Sequence, residues 1–255
     1  MCIFFVALLS LPALAHGWSH TQDEPGIPSH WAVDTVTLAL DSAHPSKLKA
    51  ADVERALDGA LHAWSALPES RVMLALGVPR RGAEDASERP FFNLVRFCQD
   101  DWRWDPNMLA STVLWVRAGS GEIVGATIEV NEEKYEFSTD GKEGYDLQAV
   151  LTHEIGHMLG LGHSEVDDAS MYARTRQRDL KQRTPKEDDR RGIAALYPEG
   201  LPLTSISALP PAAGCSAAPG GAPARGLLAV CLLVVAALWR RRDGRPQAQG
   251  PRRRG

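Results

Sequence analysis

The chain has 255 residues, with 28 Lys and Arg against 32 Asp and Glu, and a formal charge of −4. That balance hides an asymmetry: from Cys215 onward there are eight Arg and one Asp, so the remainder carries 20 basic and 31 acidic residues. An acidic globular part of this kind excludes nucleic acid as the expected partner.

Residues 1–15 form an apolar run ending in Ala13-Leu14-Ala15, which fits a signal peptide cleaved to leave a mature start near His16. The run is too short for a membrane span, and no Lys or Arg precedes its apolar stretch. A buried N-terminal strand or helix is the alternative. Residues 16–28 hold Gly17, Pro25, Gly26 and Pro28 and read as a disordered lead-in, too short for a folded prodomain.

A domain is expected over residues 29–200. Alternation from Trp31 to Leu40 predicts a first strand. Val53, Ala56, Leu57, Ala60, Leu61 and Trp64 recur at helical spacing between Ala50 and Leu67, and Pro68 closes that helix. Arg71–Val78 and Phe91–Gln99 read as strands separated by a breaker-rich loop. Trp102 and Trp104 suit core or rim packing. Ala110–Arg117 and Glu122–Glu132 flank Ala118-Gly119-Ser120-Gly121 as a hairpin. Cys98 is the one cysteine inside the domain, so no intradomain disulfide is expected and a buried free thiol is.

The polar stretch 131–144 reads as a loop. Asp140 and Asp146 raise the question of calcium, but they lack a calcium-loop spacing, and that ion is left unsupported. Asp146 is a candidate N-cap for a helix buried through Leu147, Val150, Leu151 and Ile155. On that helix His153 and His157 are four apart and project from one face, where two imidazoles can meet one Zn2+ ion. Glu154 lies beside the first ligand and can serve as general base toward a water on the metal. His163 is the third candidate ligand. An unbroken helix would carry it about 15 Å along the axis from His153, so the helix must stop, and Gly160 can adopt the left-handed conformation that ends it. Three imidazoles plus water would make an open, catalytic zinc site. Core histidines on an amphipathic helix are the bland alternative.

His153-Glu154-x-x-His157-x-x-Gly160-x-x-His163 resembles the metzincin zinc signature, and Ser164 directly after it resembles the matrixin, or matrix-metalloprotease-like, branch. The resemblance implies a methionine turn, here at Ser170-Met171-Tyr172, with Met171 packing beneath the metal rather than ligating it. It also implies an α+β fold: a twisted mixed sheet of about five strands, two long helices and a C-terminal helix. An edge strand beside the cleft, by position Ala110–Arg117, would bind substrate backbone. The sequence holds neither a cysteine-switch motif nor a second His cluster for a structural zinc. Glu165, Asp167 and Asp168 read as solvated loop charge, with hydrogen bonding to a ligand His as the alternative. The basic run Arg174, Arg176, Arg178, Lys181, Arg183, Lys186 reads as an exposed loop. Thr184-Pro185 begins a last helix that Ile193, Leu196 and Tyr197 would bury.

Residues 201–225 have a Pro/Ala/Gly linker composition and contain Gly214-Cys215. Residues 226–242 combine an apolar run, expected as a helix, with Arg240-Arg241-Arg242, and 243–255 are a basic disordered tail. This order resembles the C-terminal sorting signals of myxobacterial surface proteins, which implies processing or lipidation at Cys215. A retained membrane anchor, with the apolar run as a transmembrane helix, and a disordered tail are the alternatives. The expectation is a monomeric, secreted or surface-associated zinc endopeptidase acting on protein or peptide substrates, with membrane association through the C-terminal segment. The rivals are a surface adhesion module that keeps the zinc helix for stability, and a hydrolase of non-peptide substrates.

Overall fold

The structure is a computed structural model that describes residues 19, 21, 27–82, 92–198 and the backbone of 230–235. The expected signal peptide, the linker with Cys215 and the basic tail lie outside the described residues.

The elements follow in the order β1 (Thr35–Leu40), α1 (Ala50–Ser65), β2 (Met73–Leu76), β3 (Asn93–Cys98), β4 (Ala110–Arg117), β5 (Ile123–Asn131), β6 (Phe137–Ser138), β7 (Tyr145–Asp146), α2 (Leu147–Met158), a 3-10 turn (Lys181–Arg183), α3 (Glu187–Leu196) and β8 (Val230–Val235). The large sheet runs β2-β1-β3-β5-β4-β8. Its first four strands are parallel, and β4 is antiparallel to β5. The fold is α+β, and β1 to β5 supply the mixed five-strand sheet that the resemblance implies.

The helical stripe of α1 is buried at Val53, Ala56, Leu57, Ala60, Leu61 and Trp64, as its spacing predicts. Those side chains share one core with Leu147, Val150, Leu151 and Ile155 of α2. Polar ends of aromatic residues fix the register between layers. Trp64 Nε1 donates to Thr152 O at 2.8 Å, Trp31 Nε1 to Met158 O at 2.8 Å, and Tyr197 Oη to Leu159 O at 2.8 Å. The last two satisfy carbonyls at the C-terminal end of α2 that have no intrahelical donor.

Several elements differ from expectation. The first strand starts at Thr35 rather than Trp31, because the Trp31 indole is drawn to the end of α2. The loop expected over 131–144 contains β6, which pairs in parallel with β7. Helix α3 starts at Glu187, two residues past Pro185. Ser19 and Thr21, expected in a disordered lead-in, bond to the chain around Gly160. The apolar helix expected over 226–242 is corrected at Val230–Val235. These residues form a strand antiparallel to β4, with Thr112 opposite Val235 and Arg117 opposite Val230. A short apolar run has no periodicity that separates strand from helix, and the outer side of β4 offers unpaired backbone groups. Among the described residues no helix is long and apolar enough to cross a membrane.

Asp146 anchors the start of α2. Its carboxylate accepts from Ala149 N at 2.9 Å and pairs with Arg183 through Nε at 2.7 Å and Nη2 at 2.5 Å. The Asp146 side chain is fully buried. Asp146→Ala removes the cap and strands the guanidinium, and is expected to lower stability by about 3 kcal/mol in denaturant titration. Asp146→Asn keeps an oxygen for the cap and should lose less.

Candidate active site

The site is built where α2 ends. Gly160 has φ +98°. Gly160 N bonds to His157 O at 2.9 Å and Leu161 N to Gly156 O at 3.0 Å, a pair that closes the helix and reverses the chain. The reversal carries His163 back toward the helical face. The ligating atoms of His153, His157 and His163 all lie within 4.8 Å of one another, and His157 Nε2 is 3.2 Å from His163 Nε2.

The two helical imidazoles are set in one tautomer. His153 Nδ1 donates to Ser170 O at 2.7 Å and His157 Nδ1 to Leu161 O at 2.8 Å. With the proton on Nδ1, Nε2 carries the lone pair and faces the cluster. Burial keeps all three rings neutral: it pushes His153 down to about 3, His163 down to about 4, and His157 well below its ordinary value. Three neutral imidazoles with converging nitrogens fit a zinc ion.

Glu154 is buried beside them. Its Oε2 accepts from Thr112 Oγ1 at 2.6 Å, while Oε1 accepts no hydrogen bond among the described residues. Burial pushes this carboxyl up to about 8, against the Thr112 hydrogen bond that lowers it. Oε1 is thus a buried acceptor left without a partner on the residue next to His153, available to accept a proton.

Met171 is buried against the helix, and a Cβ at Gly156 would overlap its sulfur. The turn around it is held by α3. Asp189 accepts from Ser170 N at 2.7 Å and Met171 N at 2.9 Å, and Ser164 Oγ donates to Asp188 at 2.6 Å. Through Ser170, Asp189 therefore steadies the carbonyl that orients His153. Glu165, Asp167 and Asp168 are exposed and take no part. Sequence reasoning missed Thr112, Asp188 and Asp189: Thr112 reads as one more strand residue, and the two Asp read as first-turn acids of a helix.

The other candidates resolve simply. Asp140 pairs with Lys142, and Asp146 with Arg183. The Cys98 thiol is buried and free, and burial pushes it up to about 12, which leaves it inert. Trp102 and Trp104 are half-buried rim residues. Cys215 lies outside the described residues.

Residues 99–198 match the matrixin family model. The chain carries a matrixin-like metalloprotease domain. It is 31% identical to human matrix metalloproteinase-20 over 179 residues, which cover 68% of this chain and 33% of that protein. Against human neutrophil collagenase the identity is 29% over 173 residues, covering 68% and 34%. A 52-residue stretch is 52% identical to the metalloendoproteinase 5-MMP of Arabidopsis thaliana and covers 20% and 14%. The chain thus spans about a third of the length of the two human relatives.

The Glu154 environment makes a pH prediction for zinc-free protein. The folded pKa of about 8 exceeds the unfolded value of 4.5, so the folded state holds the extra proton between them. The Glu154 contribution to stability should fall as pH rises through that window, by on the order of a few kcal/mol, while the three buried imidazoles act in the opposite direction below their ordinary value of 6.5. Glu154→Gln removes the titrating group. In thermal melts of zinc-stripped protein the variant should be more stable than wild type near pH 8, and the gap should close near pH 4.5.

Proposed function

We propose that this protein is a zinc-dependent endopeptidase that hydrolyses internal peptide bonds of protein substrates. One observation carries the reading: three converging, neutral imidazoles, with the Glu154 carboxyl on the residue next to His153 buried, one of its oxygens bonded to Thr112 and the other without a partner among the described residues. His153, His157 and His163 would hold the zinc, which when bound would supply a Lewis acid for the scissile carbonyl and for water. Glu154 Oε1 takes a proton from the attacking water and returns it to the amine nitrogen as the C–N bond breaks. The water's oxygen stays on the new carboxylate. Thr112 holds the carboxyl in the orientation this transfer needs.

Thr112 lies on β4, so the general base is tied to the strand whose outer side can receive an extended peptide by main-chain pairing. That side is paired with β8. While residues 230–235 remain attached, substrate and the C-terminal segment therefore compete for the same amides. By the order of its N- and C-terminal segments the protein acts outside the cell or at its surface, after removal of residues 1–15 and sorting through residues 201–242, with Cys215 as the processing or lipidation point.

Glu154→Gln should keep zinc and fold and lose peptide cleavage by at least roughly a thousandfold. Cleavage of a mixed-peptide library and zinc content measured on the same sample check it. An adhesion module would instead show no peptide turnover in the wild type. A chain ending at Pro198 should have a lower KM for peptides than the full chain, with kcat little changed. An equal KM would show that the C-terminal segment leaves the strand edge open.

A further inference from the structure

The three imidazoles are not held alike. His153 and His157 sit on a helix, and each Nδ1 is anchored to a carbonyl. His163 sits in a loop, and its ring makes no hydrogen bond among the described residues other than the approach to His157. The position of the third imidazole therefore depends on the backbone of residues 160–163. On its far side that backbone is fixed by Ser164 N donating to Met171 O at 2.9 Å.

On its near side the same loop is gripped by two residues from the beginning of the chain. Thr21 N donates to Gly160 O at 2.8 Å, and Thr21 Oγ1 reaches the same carbonyl at 3.2 Å. Gly162 N donates to Ser19 O at 2.9 Å, and Ser19 Oγ donates to His163 O at 2.8 Å. Ser29 N bonds to Thr21 O at 2.8 Å, and His30 N bonds to Gly121 O at 2.8 Å, which ties this grip to the β4–β5 turn. Gly162 occupies an unspecified position of the zinc signature, yet a Cβ there would overlap the Ser19 hydroxyl. A Cβ at Gly160 would likewise overlap Ser29 O. Both glycines are small where the N-terminal segment presses on the loop.

We propose that Ser19 and Thr21 are positioning residues for His163: the N-terminal segment is a strap that sets the third metal ligand. The inference rests on the zinc reading above and adds a part to it. The strap acts through the loop backbone and touches neither metal nor substrate. It makes zinc affinity depend on residues more than 130 positions away from the ligand they serve, at separations of 144 for Ser19 and 139 for Thr21 from their partners.

The test measures zinc affinity by competition with a chromophoric chelator on the full chain. Ser19→Ala combined with Thr21→Val removes both side-chain bonds, and Gly162→Ala pushes the strap away from the loop. Each is expected to weaken zinc binding by roughly tenfold, the low end of what lost outer-shell support costs a metal site. Thermal melts of the zinc-free proteins should differ little, which separates positioning from general stabilisation. In a His163→Ala background the same changes should have no further effect on zinc affinity, because their influence passes through that ligand. Wild-type zinc affinity in both variants, or an equal loss in the His163→Ala background, would overturn the strap and leave the peptidase reading intact. A wild-type chain that binds no zinc would overturn both.

Discussion

Three imidazole rings crowd together, each kept neutral at ordinary pH by burial, and the surrounding structure holds them there. Their nitrogens would repel if charged, and burial removes the water that could screen them. Each neutral ring instead needs its Nδ1–H satisfied, and two rings achieve this by donating to carbonyls that α2 itself does not offer. One carbonyl comes from the turn that ends the helix, the other from the methionine turn. Helix termination, chain reversal and tautomer choice are therefore one event: the residue after Gly160 supplies the acceptor that orients His157.

The same logic explains why α3 matters although it lies outside the ligand set. Asp189 is buried, and burial raises its pKa against three backbone donors that lower it. Those donors are Lys186, Met171 and Ser170, so a single carboxylate caps its own helix and fixes the methionine turn. Ser170 then passes that order to His153. Glu154 is steadied from the opposite side, since Thr112 reaches it from β4. The three imidazoles are set from the helix and loop layer, and the Glu154 carboxyl from the sheet. An extended peptide lying on β4 would thus be registered against Glu154 rather than against the three imidazoles.

Much of this is legible in the residues. The stripe of α1, the hairpin of β4 and β5, the Asp146 cap and the approach of His153, His157 and His163 all follow from period, turn composition and spacing. What is not legible depends on partners far apart in the chain. Nothing near Thr112 marks it as the residue that will touch Glu154, because a threonine in a strand needs no further reason to be there. Asp188 and Asp189 already have a sufficient local explanation as first-turn acids, so their second role is masked. Ser19 and Thr21 sit among glycines and prolines and carry no apolar pattern, yet a strap made of main-chain bonds needs none.

The C-terminal run shows the limit of pattern reading most directly. Cys231-Leu232-Leu233-Val234-Val235 is apolar on every side, so it suits a lipid-facing helix, a buried helix or a strand covered on both faces equally well. Its environment makes the choice. The outer edge of β4 is a row of backbone donors and acceptors that must be met by water or another strand, and β8 meets them over six residues. A segment that can pair with that edge resembles substrate in the only property the edge reads, an extended backbone. The strand that lets a peptidase accept many sequences is, for the same reason, open to its own chain.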